Sequence, residues 1–316
     1  MSFEYQQTVV GKEGISAKIV ADSISKSGKR ITTFELEYPR WILAELNTHR
    51  QFSRNSMSSR AIPVNKQIQQ IIENPAMPVF WGKNQSGMVA KESWEEEINF
   101  YSNTEWWKLA ALSATRFAQN YSDAGYHKQI VNRLLEPFQR MKTVLTATEF
   151  DNFFKLRLAP DAQPEIQELA RCMKEAMDLN KPEFLKEGEW HTPYVEHFRG
   201  SDGDAELIYI VDNIGVSLED AKSISTSCCA QVSYREIDSS YDKAMSVYVK
   251  LGLNTDHAHL SPTEHQATPI PEKMWTVYGC DRLYWVDGIT HVDKDCNLWS
   301  GNLNSWIQHR QLIEVK

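Results

Sequence analysis

The stretch "ITTFELEYPRWILAELNTHRQFSRNSMSSRAIP", residues 31–63, contains the pattern that decides the fold. Its first eight residues are rich in β-branched and aromatic side chains and alternate between apolar and polar. The segment "ISAKIVADSI" at 15–24 has the same character, and "SKSGKR" between the two has the composition of a turn. These two segments therefore predict a pair of neighbouring strands.

The second half of the same stretch changes to helical spacing. Pro39 suits the first turn of a helix, and Ile42, Leu46 and His49 recur at intervals of three and four. The sequence therefore predicts a helix over 39–53 that delivers His49 near its C-terminal end. Residues 54–63 are interpreted as the loop that follows.

Farther along the chain, helical and strand-like segments are mixed. Helices are predicted over 92–118, 120–142 and the amphipathic segment "DAQPEIQELARCMKEAM" at 161–177. Residues 205–215 are strand-like, and Ser217 with Asp220 forms a capping-box pattern at the start of a further helix. The chain therefore mixes predicted strands and helices along its length.

Composition narrows the function classes. The chain has 316 residues, a net charge of −8 and five cysteines without zinc-ribbon spacing. An acidic balance argues against general nucleic-acid binding, so no nucleic-acid partner is expected. No apolar run is long enough to predict a membrane span. Unpaired thiols and the absence of a signal pattern favour a cytoplasmic protein.

Within this acidic chain, residues 49–60 gather cations and hydroxyls. The run holds His49, Arg50, Arg54 and Arg60 with several serines and no acid. Arginine forks bind phosphate oxygens through paired, charge-assisted hydrogen bonds, and serine hydroxyls can complete such a cradle. The run predicts a site for a small anion, although a solvated basic loop has the same composition.

Two further segments carry residue types found in sites. In "DNFFKLRLAPDAQPEIQ" at 151–167, Asn152 and Arg157 lie among aromatic residues, an arrangement that can recognise a planar ring but also suits an ordinary amphipathic helix. In "DHAHLSPTEH" at 256–265 the histidines suggest a metal, yet HExxH and a nearby cysteine are missing. No metal is predicted, and the turn at Pro262 could instead present His265 to a ligand.

These segments together resemble the flavin-dependent thymidylate synthases, the ThyX family. "THRQFSRNSMSSRA" at 48–61 resembles the family signature Arg-His-Arg-x-x-Ser-x-Asn-x-x-Ser-x-Arg, and "NFFKLRLAPDAQPEIQ" at 152–167 resembles its second block. "CCAQVSY" at 228–234 and "HLSPTEH" at 259–265 resemble blocks that normally precede the signature. The order is therefore that of a circularly permuted member, with the N-terminal family segments displaced to the C-terminal third.

The resemblance implies an α+β, ThyX-like fold, with a mixed or antiparallel sheet packed with helices, in one interwoven domain over 1–316. Its core motif region would be 31–178, the permuted segment 205–266, and 267–316 an unassigned extension. "CCAQVSY" would supply a strand and "HLSPTEH" a turn on the flavin side of the site.

The resemblance also implies an activity. Family members convert deoxyuridylate to thymidylate, with methylenetetrahydrofolate and NADPH as co-substrates and FAD as cofactor. They work as homotetramers with active sites shared between subunits. The expected partners are therefore a pyrimidine deoxynucleotide monophosphate, a folate and further copies of the chain.

Carried over by position, the resemblance implies roles for individual residues. Arg157 and Ser58 are the expected catalytic residues, with Arg157 contacting the pyrimidine ring. Substrate-binding positions are Ser58, Arg60, Arg133, Arg157 and Glu45. Cofactor-binding positions are His49, Arg50, Ser53, Asn55, Asn152, Ser233 and His265.

Departures from the family pattern keep other functions open. Glu45 stands where a nucleotide-binding glutamine is common, Thr48 replaces the first arginine of the signature, and Ser56 replaces a glutamate. Thr146 and Thr148 replace an asparagine and an arginine on the flavin side. One alternative is a flavin-dependent methylase or hydroxymethylase of another pyrimidine deoxynucleotide, such as deoxycytidylate. The other is a nucleotide-binding homologue without catalysis.

Overall fold

The computed structural model describes most of the chain. The described residues are 8–200, 205–233, 237–253, 255–256, 258–276 and 285–313. Within these ranges, no helix combines the length and the apolar character that crossing a membrane requires.

A central sheet is built mainly from the N-terminal half. Its strands are β1 (Thr8–Val10), β2 (Ser16–Ile24), β3 (Arg30–Pro39), β4 (Ser53–Ser56), β5 (Arg140–Ala147) and β6 (Glu183–Phe184). The first five are antiparallel in the order β1-β2-β3-β5-β4, and β6 runs parallel to the end of β2. The β2–β3 hairpin confirms the two predicted strands, and Gly28, at φ +78°, lies in their turn.

The segment after β3 is less helical than predicted. A 3₁₀ turn (Arg40–Ile42) leads into α1 (Leu43–Leu46), and the chain then turns back to enter β4. The predicted helix over 39–53 therefore ends early, and the predicted loop is wrong for its first residues. β4 forms because it pairs with β5, which lies far away in sequence. Local periodicity does not reveal such a partner.

The middle of the chain holds one long helix where two were predicted. α2 (Val64–Glu73) and α3 (Asn103–Asp123) pack on each other, and α4 (Lys128–Val131) follows. Ser102 starts α3 through a capping box with Glu105, so residues 92–102 are not helical. The predicted helix over 120–142 is confirmed only in part, because α3 ends at Asp123 and the range then holds α4 and a 3₁₀ segment (Asn132–Phe138). Gly125 adopts φ +88° just past the end of α3, and the last residues of that range enter β5.

Two helices behind the sheet carry the second sequence block. These are α5 (Asp151–Arg157) and α6 (Pro164–Leu179). α6 confirms the predicted amphipathic helix, since its apolar stripe joins the core against the sheet. The buried members of that stripe include Ile166, Leu169, Ala170 and Met173.

The C-terminal third adds small sheets and two longer helices. Its strands are β7 (Glu196–Phe198), β8 (Ile208–Val211), β9 (Ile214–Val216), β10 (Ala267–Pro269), β11 (His291–Val292), β12 (Leu298–Ser300), β13 (Leu303–Asn304) and β14 (Trp306–Gln308). Its helices are α7 (Leu218–Ala230), α8 (Tyr241–Lys250) and α9 (Glu272–Thr276).

α7 confirms one expectation and corrects another. Ser217 caps it by accepting from the backbone of Asp220, as predicted. The strand expected at "CCAQVSY" is wrong, because Cys228 and Cys229 belong to α7 and a 3₁₀ turn (Gln231–Ser233) follows. A run of small buried side chains lets this helix pack closely in the interior.

The C-terminal third packs directly on the central sheet. His265 Nδ1 lies 2.8 Å from Thr146 Oγ1 on β5, and Asn55 Nδ2 on β4 donates to Cys229 O at 3.2 Å. Trp306 is fully buried and donates to Lys29 O at 3.1 Å. The described architecture is α+β.

Candidate functional site

Arg157 is the centre of the residues that the structure brings together. It is the last residue of α5, and its guanidinium reaches the turn after α1. Nε donates to His49 Nε2 at 2.9 Å and Nη2 to Thr48 Oγ1 at 3.3 Å. Nη1 lies 3.4 Å from Glu45 Oε2, and the Arg157 side chain is 20% exposed. Three predicted site residues, Arg157, His49 and Glu45, therefore form one cluster.

His49 holds the guanidinium in place through a neutral ring. The ring stacks on Phe52 at 5.7 Å and meets the edge of Phe153 at 4.9 Å. Burial, together with the positive charges of Arg157 and Arg54, lowers the pKa of His49 to about 4. A neutral imidazole can accept at Nε2, whereas an imidazolium cannot. The hydrogen bond from Arg157 Nε therefore depends on this depressed pKa.

Arg54 stabilises the same turn, which follows α1, through hydrogen bonds to its carbonyl oxygens. Its Nη1 donates to Leu46 O at 2.8 Å and to His49 O at 3.1 Å. It thus adds a charged donor to two carbonyls that already accept from the backbone of His49 and Phe52. Burial lowers the pKa of Arg54. One of the four cations in the basic run is therefore structural, and the anion-site interpretation does not apply to it.

The Arg157 cluster opens onto a cleft of about 980 Å³. Glu45 and Arg157 line one part of it, and Trp41, Phe80 and Trp107 line another. Trp41 and Trp107 pack edge to face at 5.8 Å, which fixes this aromatic wall. A cleft with aromatic walls and a few convergent charges fits a planar, polar ring.

The segment from residue 78 to 90 closes one side of the cleft and is tied to α6. Val79 N donates to Glu165 Oε1 at 2.9 Å, and Gln163 Nε2 donates to Glu165 Oε2 at 2.9 Å. Sequence reasoning missed Phe80 and its aromatic neighbours as cleft residues. The signal available was aromatic residues between prolines and a glycine in "PAMPVFWGK", but the cleft they face depends on long-range packing.

The residues predicted to bind phosphate lie outside this cleft, near one another. Asn132 Nδ2 donates to Ser59 O at 2.6 Å and Ile62 O at 3.0 Å, which fixes the loop that carries Ser58 and Arg60. Arg133 directly follows Asn132 in the chain, so its side chain starts beside this loop. Arg60 and Arg133 are both exposed, and Arg133 pairs with Glu136 at 2.5 Å.

The predicted cofactor-binding residues divide into exposed and buried groups. Arg50 and Asn152 are exposed, and they neighbour His49 and Phe153, whose rings are in contact. Ser53 lies on β4, where only 1% of it is exposed, and its hydroxyl bonds to residues of the C-terminal segment.

His265 is the most deeply buried of the predicted cofactor residues. It is 0% exposed, and burial lowers its pKa to about 3. Nδ1 bonds to Thr146 Oγ1, which continues to Thr33 Oγ1 at 2.7 Å and then to His191 Nε2 at 2.8 Å. Nε2 of His265 has no hydrogen-bond partner among the described residues. The side chain of Ser233 lies outside the described residues.

These residues fit FAD in part. The exposed Arg50 and Asn152 offer charged and amide donors to phosphate and ring oxygens. His265 Nε2 is a buried atom without a partner among the described residues, and His265 directly follows a turn (Ser261–Glu264) that contacts β4. Ser53 and Asn55 already bond within the protein, which suits a supporting role. Among the described residues, no group of three or more His, Cys, Asp or Glu side chains is placed to hold a metal ion.

Comparison with known proteins identifies part of the chain. Residues 30–183 match the family model for thymidylate synthase complementing protein. No curated protein matches the chain. The matched segment begins at β3 and ends within β6, so it includes the Arg157 cluster and excludes His265 and the C-terminal strands. Residues 30–183, just under half of the chain, therefore carry the similarity to the thymidylate synthase complementing protein family, also called the ThyX family.

Proposed function

We propose that the protein is a flavin-dependent thymidylate synthase that methylates deoxyuridylate to thymidylate. Methylenetetrahydrofolate would donate the carbon and NADPH two electrons, and the C5 hydrogen of the pyrimidine would be replaced by a methyl group. The family match over residues 30–183 supports this class of enzyme. The observation that carries the proposal is the Arg157 guanidinium, held by His49 at the opening of an aromatic cleft.

Arg157 would act on the pyrimidine ring. Its Nη atoms make only long contacts, 3.3 Å to Thr48 and 3.4 Å to Glu45, so a ring oxygen can replace these partners at small cost. A positive charge beside the ring oxygens stabilises the electron-rich form in which C5 attacks an electrophile. FAD, when bound, supplies the redox chemistry that completes the methyl group.

The remaining predicted residues would bind the two anionic ligands. Ser58, Arg60 and Arg133 lie at one loop and would hold the nucleotide phosphate through charge-assisted hydrogen bonds. Arg50 and Asn152 would contact FAD directly, with His49, Ser53 and Asn55 supporting them from beneath. Ser233 and His265 would complete the cofactor side.

A homotetramer with shared active sites is part of this proposal. α3 buries small residues such as Ala111 and Ala118, whereas Leu112, Phe117 and Tyr121 on its outer face are 43–60% exposed. Large apolar residues outside and alanines inside are the reverse of a helix that faces only water. A second copy of the chain would cover this face.

Glu45 favours a second candidate function. Its carboxylate lines the cleft beside Arg157, where the family commonly has a glutamine. A carboxylate accepts a hydrogen bond from the exocyclic amino group of cytosine. The alternative is therefore methylation or hydroxymethylation of deoxycytidylate at the same site.

Product analysis on the purified protein tests the proposal. Flavin should be released on denaturation, and deoxyuridylate should gain one methyl group when the folate and NADPH are present. Parallel reactions with deoxycytidylate separate the second candidate, and the Glu45→Gln variant should shift preference towards deoxyuridylate if Glu45 reads the amino group. Flavin and nucleotide binding without any product would support a homologue without catalysis and contradict the proposal.

A further inference from the structure

The C-terminal segment reaches the signature strand β4 although it lies outside the family match. Gln308 Nε2 lies within hydrogen-bonding distance of three oxygens: Ser53 Oγ at 3.1 Å, Asn302 Oδ1 at 2.9 Å and Glu264 O at 2.9 Å. Ser53 Oγ in turn donates to Asn302 Oδ1 at 3.0 Å. One amide therefore joins β4, the β12–β13 turn and the turn before His265.

The residues of this junction are buried, so their hydrogen bonds fix the orientation of the side chains. Gln308 is 2% exposed and Ser53 is 1% exposed. The amide nitrogen of Gln308 has only two hydrogens, and among the described residues Gln308 alone bonds to all three acceptors. Because Gln308 donates to the Ser53 oxygen, the hydroxyl hydrogen of Ser53 must turn away, towards Asn302 or the Glu264 carboxylate.

The backbone around Gln308 is shaped to hold this amide. Gln308 N donates to Ser300 Oγ at 3.0 Å, and Ser300 Oγ donates to Gly288 O at 2.5 Å. Gly301 adopts φ +59°, and a Cβ there would lie 2.4 Å from Gln308 Oε1. A side chain at residue 301 would therefore push the carboxamide out of its present position.

The charged side chains beside the junction connect it to the candidate functional site. Burial raises the pKa of Glu264, while Arg310, the Ser53 hydroxyl and Arg54 act in the opposite direction. Arg54 also supports the turn that carries His49. The junction therefore lies between the Arg157 cluster and His265.

We propose that Gln308 is a positioning residue that sets the Ser53 hydroxyl and the turn before His265 for binding of the cofactor. This inference rests on the proposed function, because it takes Ser53 to be on the FAD side. It assigns a role to the C-terminal segment, for which the family match gives none. Gln308 acts through Ser53 and makes no contact with the reacting atoms.

A double-mutant cycle on FAD affinity tests this inference without measuring activity. Ser53→Ala, Gln308→Leu and the double variant are titrated with FAD and followed by quenching of flavin fluorescence. Each single change should raise the dissociation constant about three- to tenfold. Both residues act through one hydrogen bond. The dissociation constant of the double variant should therefore be no higher than that of the single variant that binds FAD more weakly.

Gln67→Leu is the matched control for loss of a buried glutamine. Gln67 is 0% exposed and donates to Gln70 on α2, away from Ser53. The Gln67→Leu change should lower the unfolding temperature, as Gln308→Leu does, but it should leave FAD affinity unchanged. Independent, multiplying effects of Ser53→Ala and Gln308→Leu would overturn the inference, since a merely structural role gives that result.

Two outcomes separate this inference from the proposed function. If wild-type protein does not bind FAD, the proposed function fails and the inference fails with it. If wild-type protein binds FAD and Ser53→Ala weakens binding but Gln308→Leu does not, only the inference fails.

Substitutions at two glycines provide a second test, in which residue 308 remains glutamine. Gly301→Ala should weaken FAD binding as Gln308→Leu does, because the new Cβ displaces the carboxamide. Gly188 also has a positive φ, +87°, but nothing lies within 4 Å of its Cβ position. Gly188→Ala therefore carries the backbone strain alone, and equal loss of FAD affinity in both variants would overturn the inference.

Discussion

The candidate site residues lie in two physically different regions. The cleft side comprises Glu45, Thr48 and Arg157, whose mutual contacts are 3.3–3.4 Å long and partly exposed. The buried side comprises Ser53 and His265 with their hydrogen-bond partners in the interior. A ligand can compete for the cleft-side groups easily, whereas a buried group without its partner loses its full hydrogen-bond energy.

This difference teaches how a family motif should be interpreted. A motif position indicates only that a residue type is required, because direct contact with a ligand and support of the contacting residue both require it. The cleft side has the loose charges that direct contact needs. The buried side has polar groups that, apart from Nε2 of His265, bond within the protein and so fix geometry.

The largest effect should follow from removing the C-terminal third. A chain ended after residue 205 loses Trp306 from the core and leaves Thr146 without His265. We expect that this fragment neither folds nor binds FAD, because buried polar groups on β5 would lose their hydrogen-bond partners in the C-terminal third. Circular dichroism, gel filtration and flavin content measure this. A stable fragment that binds FAD would make the buried side a separate module.

Arg157→Lys should affect the cleft side alone. The lysine keeps the charge but loses the planar fork that spans His49, Thr48 and a ring oxygen. Turnover should fall about tenfold to a hundredfold, the cost of a charged hydrogen bond made in the transition state. Nucleotide affinity should change much less. A near-normal rate at saturating substrate would remove Arg157 from its role.

Arg60→Ala should give the opposite kinetic pattern. Arg60 is exposed on a loop that Asn132 fixes, so its loss should leave the fold intact. Nucleotide affinity should fall roughly tenfold or more, since a charge-assisted bond to phosphate is lost. FAD content should change little. Isothermal titration with the nucleotide measures the effect, and unaltered affinity would sink the phosphate assignment.

Thr33→Val should destabilise the buried side without altering its shape. Thr33 Oγ1 bonds to Thr146 and to His191, and all three residues are 0% exposed. The free energy of unfolding should fall by about 1–3 kcal/mol. Thr115→Val is the control, because Thr115 is buried but bonds only to a carbonyl of its own helix. Equal losses in urea denaturation would argue against a special role for the network.

The smallest effect is a pH dependence from His49. Its pKa is lowered to about 4 in the folded protein, below its value in the unfolded chain. The unfolded state therefore binds more protons, so stability is full above the unfolded pKa and falls as pH drops towards 4. His49→Gln should flatten this part of the stability curve. An unchanged curve would mean that other groups, such as His265, account for the pH dependence of stability.

Local features of the fold could be predicted from the sequence, and long-range ones could not. The β2–β3 hairpin, α6 and the Ser217 cap follow from periodicity and capping chemistry. β4 and β5 were misassigned because each is a strand only through its partner.

The same limit applies to the site. The sequence motifs indicated Arg157, His49 and Glu45, which the structure brings together. The motifs gave no sign of Phe80 or Gln308, because each reaches the site only through tertiary packing of a distant segment.

One measurement tests the central division most directly: the yield of thymidylate per bound FAD in a single turnover. It is compared between wild type, Arg157→Lys and Ser53→Ala, each at saturating deoxyuridylate and folate. The account predicts a strongly reduced yield per flavin for Arg157→Lys in the time that wild type needs to finish. It predicts a wild-type yield per flavin for Ser53→Ala, whose deficit is in FAD affinity. Equal loss per bound flavin in both variants, or no thymidylate from wild type, would contradict it.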